Sequence, residues 1–153
     1  MTINTGYLGE QLVSKWLQSK SYRILHHNWH CRWGEIDVIA EDKTASTLVF
    51  LEVKTRNKNN WDHDGLAAIS WAKQQKISRS AALFLAKNPH YDDFYIRFDV
   101  ALVRYQKTSS KPKKEQEVQD LLSSSPSLAI NNHNQNIDLK LIKYLENAFE
   151  AAI

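Results

Sequence analysis

The chain has 153 residues, 42% hydrophobic and 24% charged, which suits one compact globular domain with its own core. Lys plus Arg number 20 against 17 Asp plus Glu, a formal charge of +3 that permits a nucleic-acid partner through a local basic face without demanding one. A lone cysteine, Cys31, excludes an internal disulfide framework. The start MTINTGYLGEQLVSKWL lacks a signal peptide's basic and apolar regions, and no apolar run approaches a membrane span, so a cytoplasmic protein with no membrane partner is expected.

In chain order, residues 5–20 predict a helix, with Leu8, Leu12, Val13, Trp16 and Leu17 on one arc. Gly9 lies inside that arc, where a missing side chain lets the backbone approach a sheet, and Glu10 falls at the arc's edge. A short strand is expected at 22–29, then confident strands at 35–40 and 47–55 around the polar EDKTAS. NKNNWDHDG reads as a loop. Ser70 caps a predicted helix through Ala86, with Ile77, Ala81, Phe84 and Leu85 inward, and 94–105 predicts another strand. Residues 106–136 turn polar, Ser- and Asn-rich, and read as a mobile insertion with a brief helical turn at 118–122. Asp138 would then cap a terminal helix over 137–153 whose Ile142, Leu145 and Phe149 dock on the 1–105 core. The order predicts an α/β sandwich with a mixed sheet.

The hairpin carries the chemistry. If its turn is symmetric, Asp37 faces Glu52 and Glu35 faces Lys54, at roughly 5 Å between Cβ atoms. Two acids so placed repel, and burial beside Ile39, Leu48 and Phe50 raises the cost of each ion. A hard divalent cation relieves both, and paired oxygen ligands with room for water and phosphate suit Mg²⁺. Alternation puts the Lys54 ammonium on the same face, where it can hold a phosphate oxygen or orient an attacking water. From the hairpin alone, an ordinary cross-strand salt-bridge cluster explains these residues equally well.

Asp37 followed by Glu52-Val53-Lys54 resembles the D…(D/E)xK signature of the PD-(D/E)xK nucleases, and five motifs in order sharpen the match. GYLGEQLVSKWL, GEIDVIA, FLEVKTR, AKQQKISRSAALFLA and RFDVALV together resemble the YraN family, which is similar to archaeal Holliday-junction resolvases; the likeness covers residues 6–105. The resemblance implies a restriction-endonuclease-like three-layer α/β/α sandwich with a mixed central sheet. It implies a Mg²⁺- or Mn²⁺-dependent endonuclease on branched or structured DNA, and it allows a homodimer. A nucleic-acid-binding protein that kept the fold without catalysis is the alternative.

Carried across, Asp37 and Glu52 match the metal-binding acids, Lys54 the catalytic lysine, and Glu10 the acid that the first helix supplies. A solvated charge near a helix N-terminus is the alternative for Glu10, with the site role slightly favoured. Arg56 would touch phosphate, and Lys73, Lys76 and Arg79 form a phosphate-tracking stripe or simply a solvated helix face. Trp29, Trp33, Trp61 and Trp71 bracket this region, to stack on bases or to pack at the core edge. HHNWHC has no second Cys/His pair at finger spacing and is not a zinc site. Asp99 in RFDV is expected to be structural, paired with Arg97 or Arg79.

Overall fold

The computed structural model describes residues 4–57, 69–108, 116–120, 126–131 and 136–152, with backbone alone for 116–120 and 131. Trp61 and the expected loop beyond Asn57 lie outside them. The elements are helix α1 (Thr5–Ser19), strands β1 (Tyr22–Cys31), β2 (Gly34–Asp42) and β3 (Thr47–Asn57), helix α2 (Trp71–Lys87), and then β4 (Tyr95–Thr108), β5 (Gln116–Asp120), β6 (Ser127–Asn131) and β7 (Asn136–Phe149). The strands form one mixed sheet in the order β1-β2-β3-β4-β7-β6-β5. Among the described residues, no helix is long and apolar enough to cross a membrane.

Alternation decides which side chains meet which helix. Val38, Ala40, Val49, Leu51 and Val53 pack with Leu12, Val13 and Leu17 of α1. Their neighbours Ile39, Leu48 and Phe50 pack with Ile77, Ala81 and Phe84 of α2. Each fully buried Val, Leu, Ile or Phe among them contributes roughly 1.5–3 kcal/mol. β3 is a central strand, pairing antiparallel with β2 and parallel with β4. Both its faces are therefore covered and every residue from Thr47 to Val53 is buried. The parallel pairing needs a crossover, and α2 supplies its helix. α2 starts where expected: Ser70 Oγ accepts a hydrogen bond from the Lys73 N–H at 3.1 Å.

The C-terminal third departs from expectation. Among the described residues no helix follows Asp138; Asn136–Phe149 is strand β7, paired with β4 along its length. Ile137, Leu139 and Leu141 enter the α1-side core while Asp138 and Lys140 alternate with them, a period of two that outcompetes the helical stripe of Ile142, Leu145 and Phe149. Two bulges in the β4–β7 ladder, at Phe98/Val100 and Leu102/Val103, reset the period and produce that stripe's spacing. Residues 106–136, expected as a mobile insertion, contribute the end of β4 together with β5 and β6, and the helical turn expected at 118–122 falls on β5 as far as Asp120.

Candidate functional site

The hairpin has the register that symmetry predicts, running from Asp42↔Thr47 to Val38↔Leu51. There its ladder stops. β1 stays paired with β2 as far as Cys31↔Gly34, and β4 with β3 as far as Asn57↔Tyr105, so β2 and β3 part while each keeps its outer neighbour. Asp37 stands at the parting. Its Oδ2 accepts the Val53 N–H at 2.8 Å, replacing a backbone partner with a carboxylate.

Glu52 is the next residue on β3 after Leu51 and only 4% exposed. Lys54 Nζ lies 3.3 Å and Lys73 Nζ 3.7 Å from its Oε1. Among the described residues, its buried Oε2 has no hydrogen-bond donor. Burial first, and then the Glu52 charge, push the Asp37 carboxyl up to about 8, against the Val53 N–H, which favours the ion. The two carboxyls are close enough to share a hydrogen bond, but only if one carries a proton, since two carboxylates have no donor between them. The pair therefore holds a proton at neutral pH or accepts a cation in its place.

Glu10 reaches this place because α1 lies directly on β3. A Cβ on Gly9 would stand 2.2 Å from Thr55 Oγ1, so only glycine lets the helix backbone settle there. Glu10 follows, half-buried. Desolvation raises its pKa, opposed by a hydrogen bond from the Asn28 side chain and reinforced by the charges of Glu35 and Glu52. Asn28 has φ +49°, a left-handed conformation that asparagine tolerates better than most residues. Nothing in the sequence reading pointed to it; the available signal was an asparagine, a poor strand former, inside an aromatic-rich strand.

Glu10, Asp37 and Glu52 thus share one electrostatic neighbourhood. Among the described residues, however, no three His, Cys, Asp or Glu side chains converge as a ready-made metal cage. In this conformation Asp37 and Glu52 form the close pair, and Glu10 acts on it through charge. Glu35 does not pair with Lys54; its Oε2 lies 3.7 Å from His30 Nδ1.

The expected phosphate stripe divides. Lys73 turns into the site, Lys76 is exposed, and the Arg79 guanidinium lies over the Trp33 ring at 4.9 Å. Arg56 is exposed and donates to the Thr55 carbonyl. Of the tryptophans, Trp29 packs edge-on against Phe84 and Trp71 is 63% exposed at the start of α2. The HHNWHC side chains disperse: His26 meets Phe84 and Cys31 Sγ donates to Ser80 Oγ. Asp99 lies apart from the carboxylate pair and is fully buried. It accepts from Arg97, from the Tyr144 hydroxyl at 2.6 Å and from the Asn147 N–H at 2.9 Å, the structural role expected of it.

Comparison with known proteins places this arrangement in a family. The family model described as "Uncharacterised protein family UPF0102" matches residues 9–103, from Gly9 of α1 to the middle of β4. A UPF0102 protein of Acaryochloris marina is 42% identical over 156 residues, covering 96% of this chain and 90% of its own length. One of Trichormus variabilis is 42% identical across 99% of this chain and 97% of its own. One of a Nostoc species reaches 49% over 112 residues, 71% of this chain and 80% of its own. The chain belongs to UPF0102, the YraN family whose motifs it carries.

Proposed function

We propose that the chain is a Mg²⁺- or Mn²⁺-dependent endonuclease on a restriction-endonuclease-like α/β/α scaffold, hydrolysing phosphodiester bonds in branched or structured DNA. One observation carries this reading: a buried Glu52 carboxylate on a central strand lies beside Asp37, and its Oε2 has no donor among the described residues. The donor set fits a hard cation, because Mg²⁺ is held by one or two carboxylates and keeps several waters. Asp37 and Glu52 would hold it, and Glu10 would add to the negative field. When bound, the ion would polarise a phosphate oxygen and lower the pKa of water.

The chain's own residues do the rest. Lys54, 3.3 Å from Glu52 Oε1, offsets the negative charge that grows on the phosphate in the transition state. Lys73 brings a second ammonium from the first turn of α2 to the same oxygen and can hold a neighbouring phosphate. Trp71, exposed beside it in sequence, offers a flat surface to an unpaired base.

A second reading has its own support. Lys54 and Lys73 already sit on Glu52 Oε1, so the charge is partly offset by protein alone, as a non-catalytic nucleic-acid-binding protein with this fold would have it. The experiment titrates Mg²⁺ and Mn²⁺ against the protein and incubates it with junction, flap and single-stranded DNA. Cutting that Glu52→Gln and Lys54→Ala abolish, with metal binding abolished in Asp37→Asn, is the expected outcome. Binding without cutting, surviving both substitutions, selects the second reading. Absence of both metal and DNA binding overturns the two together.

A further inference from the structure

The sheet face that carries Glu52 and Lys54 continues across β4 and β7, and there it becomes a row of cations. Arg56 of β3 pairs in register with Arg104 of β4, and Arg104 with Lys140 of β7. One step nearer the site, Lys54 pairs with Leu102 and Leu102 with Lys143. Packing fixes the side of the sheet. Val100 and Leu102 form a cluster with Ile69 and Leu145, so Arg104, two residues after Leu102, and Lys143, two before Leu145, share that face. Lys140 stands between Leu139 and Leu141, both in the α1-side core, and so projects to the opposite side, with Arg104.

Among the described residues, none of Arg104, Lys140 and Lys143 is in an ion pair. Arg104, Gln106, Ser127, Asp138 and Lys140 line an open cavity of about 340 Å³. Asp138, in register with Gln106, brings a carboxylate to the same lining.

Like charges directly opposite one another on neighbouring strands destabilise a sheet. A row of them across three strands is resolved by an anion that is itself extended. Strand spacing of 4.7–4.9 Å sets Arg56 and Lys140 about 10 Å apart, a span that successive phosphates of one strand can bridge and one small anion cannot. A single small anion would need the cations to converge; a phosphodiester backbone needs them in line.

We infer that Arg104, Lys140 and Lys143, continuing from Arg56, form a phosphate-backbone platform that leads nucleic acid away from the carboxylate pair across β4 and β7. It deepens the proposed function and rests on it.

The test is fluorescence anisotropy of the full chain with a labelled duplex, in EDTA so that nothing is cut, across a range of salt. Variants are Arg104→Ala, Lys140→Ala, their double, and Lys107→Ala, which alternation places on the other face of β4. Removing a side chain that neutralises one phosphate should flatten the slope of log K against log[salt] by about 0.9, which is about eightfold in affinity at 0.1 M salt, and the double variant should flatten it by about twice as much. Lys107→Ala should match wild type, and unchanged melting temperatures establish that the variants are folded.

Wild-type slopes in Arg104→Ala and Lys140→Ala, with wild type binding DNA and cutting it when metal is supplied, overturn the platform and leave the nuclease reading standing. A loss confined to binding of phosphatidylserine vesicles makes the face a lipid surface and overturns the platform too. If wild type binds no duplex even at low salt, platform and nuclease reading fall together.

Discussion

Asp37→Asn should make the metal-free protein more stable, and increasingly so as pH rises. In the folded chain the Asp37 carboxyl titrates at about 8, against an ordinary 3.8. Between those values the folded state holds a proton that the unfolded state has released, so stability is fully present at low pH and is lost as pH rises towards 8. The slope is about 1.36 kcal/mol per pH unit for one proton, or about 4 kcal/mol between pH 5 and pH 8. Water reaching the half-buried carboxyl reduces that to about 2–4 kcal/mol. Asparagine keeps an oxygen to accept the Val53 N–H but has no proton to exchange. Glu10, whose pKa burial and the Glu35 and Glu52 charges raise, titrates in both proteins, and its charge enters the difference only through the Asp37 carboxyl that it helps to raise.

The assay is urea unfolding of wild type and variant in EDTA at several values between pH 5 and pH 8. The gap in favour of the variant should widen with pH. Adding Mg²⁺ at about 100 times its dissociation constant should then stabilise wild type by about 2.7 kcal/mol and leave Asp37→Asn unmoved. A stability difference that stays flat with pH, or a wild type that gains on the variant towards pH 8, would refute the account of Asp37 as an acid frustrated by Glu52.

Two further predictions concern how the site and sheet are held. Gly9→Ala should destabilise by about 1–3 kcal/mol through overpacking on Thr55, despite alanine's better helix propensity, and Thr55→Ala in the same chain should restore most of it; urea midpoints decide. Asp99→Ala should cost about 3–5 kcal/mol because it leaves Arg97 and the Tyr144 hydroxyl without their buried acceptor. Tyr144→Phe, which removes one bond to that carboxylate, should cost about 1.5–3 kcal/mol by the same measurement.

The parts of this structure that were legible in the sequence are those decided by neighbours in the chain. The hairpin register followed from a polar turn, in which Asp42 Oδ1 accepts the Thr44 N–H, between strands whose apolar faces had to be buried. Ser70 marked the start of α2 through its own hydroxyl. The fate of 137–149 was decided elsewhere. Its apolar residues fit a helix or a strand, and the free edge of β4 settled the matter by offering hydrogen-bond partners that no local pattern records. The spacing of Lys73 from Lys76 and Arg79 predicts a stripe along one helix; only the placement of α2 over β3 turns Lys73 towards Glu52. Asn28 was missed for the same reason, since its hydrogen bond to Glu10 joins β1 to α1.

The carboxylate pair also sits where the fold can least readily tolerate it. β3 is covered on both faces, and a salt bridge buried there is commonly no better for stability than apolar residues of the same volume. A purely structural cluster would be satisfied: every buried oxygen would have a donor, and the acids would be outnumbered by cations on all sides. Instead, among the described residues, Glu52 Oε2 has no donor other than a proton kept on the pair itself, Asp37 holds that proton to about 8, and Glu10 adds a third acid to the same field. The splay of β2 from β3 opens the gap that keeps these groups together without a ladder to relieve them. Strain of this kind, concentrated where a central strand loses its partner and bordered by Lys54 and Lys73, is consistent with the cation and phosphate site proposed above.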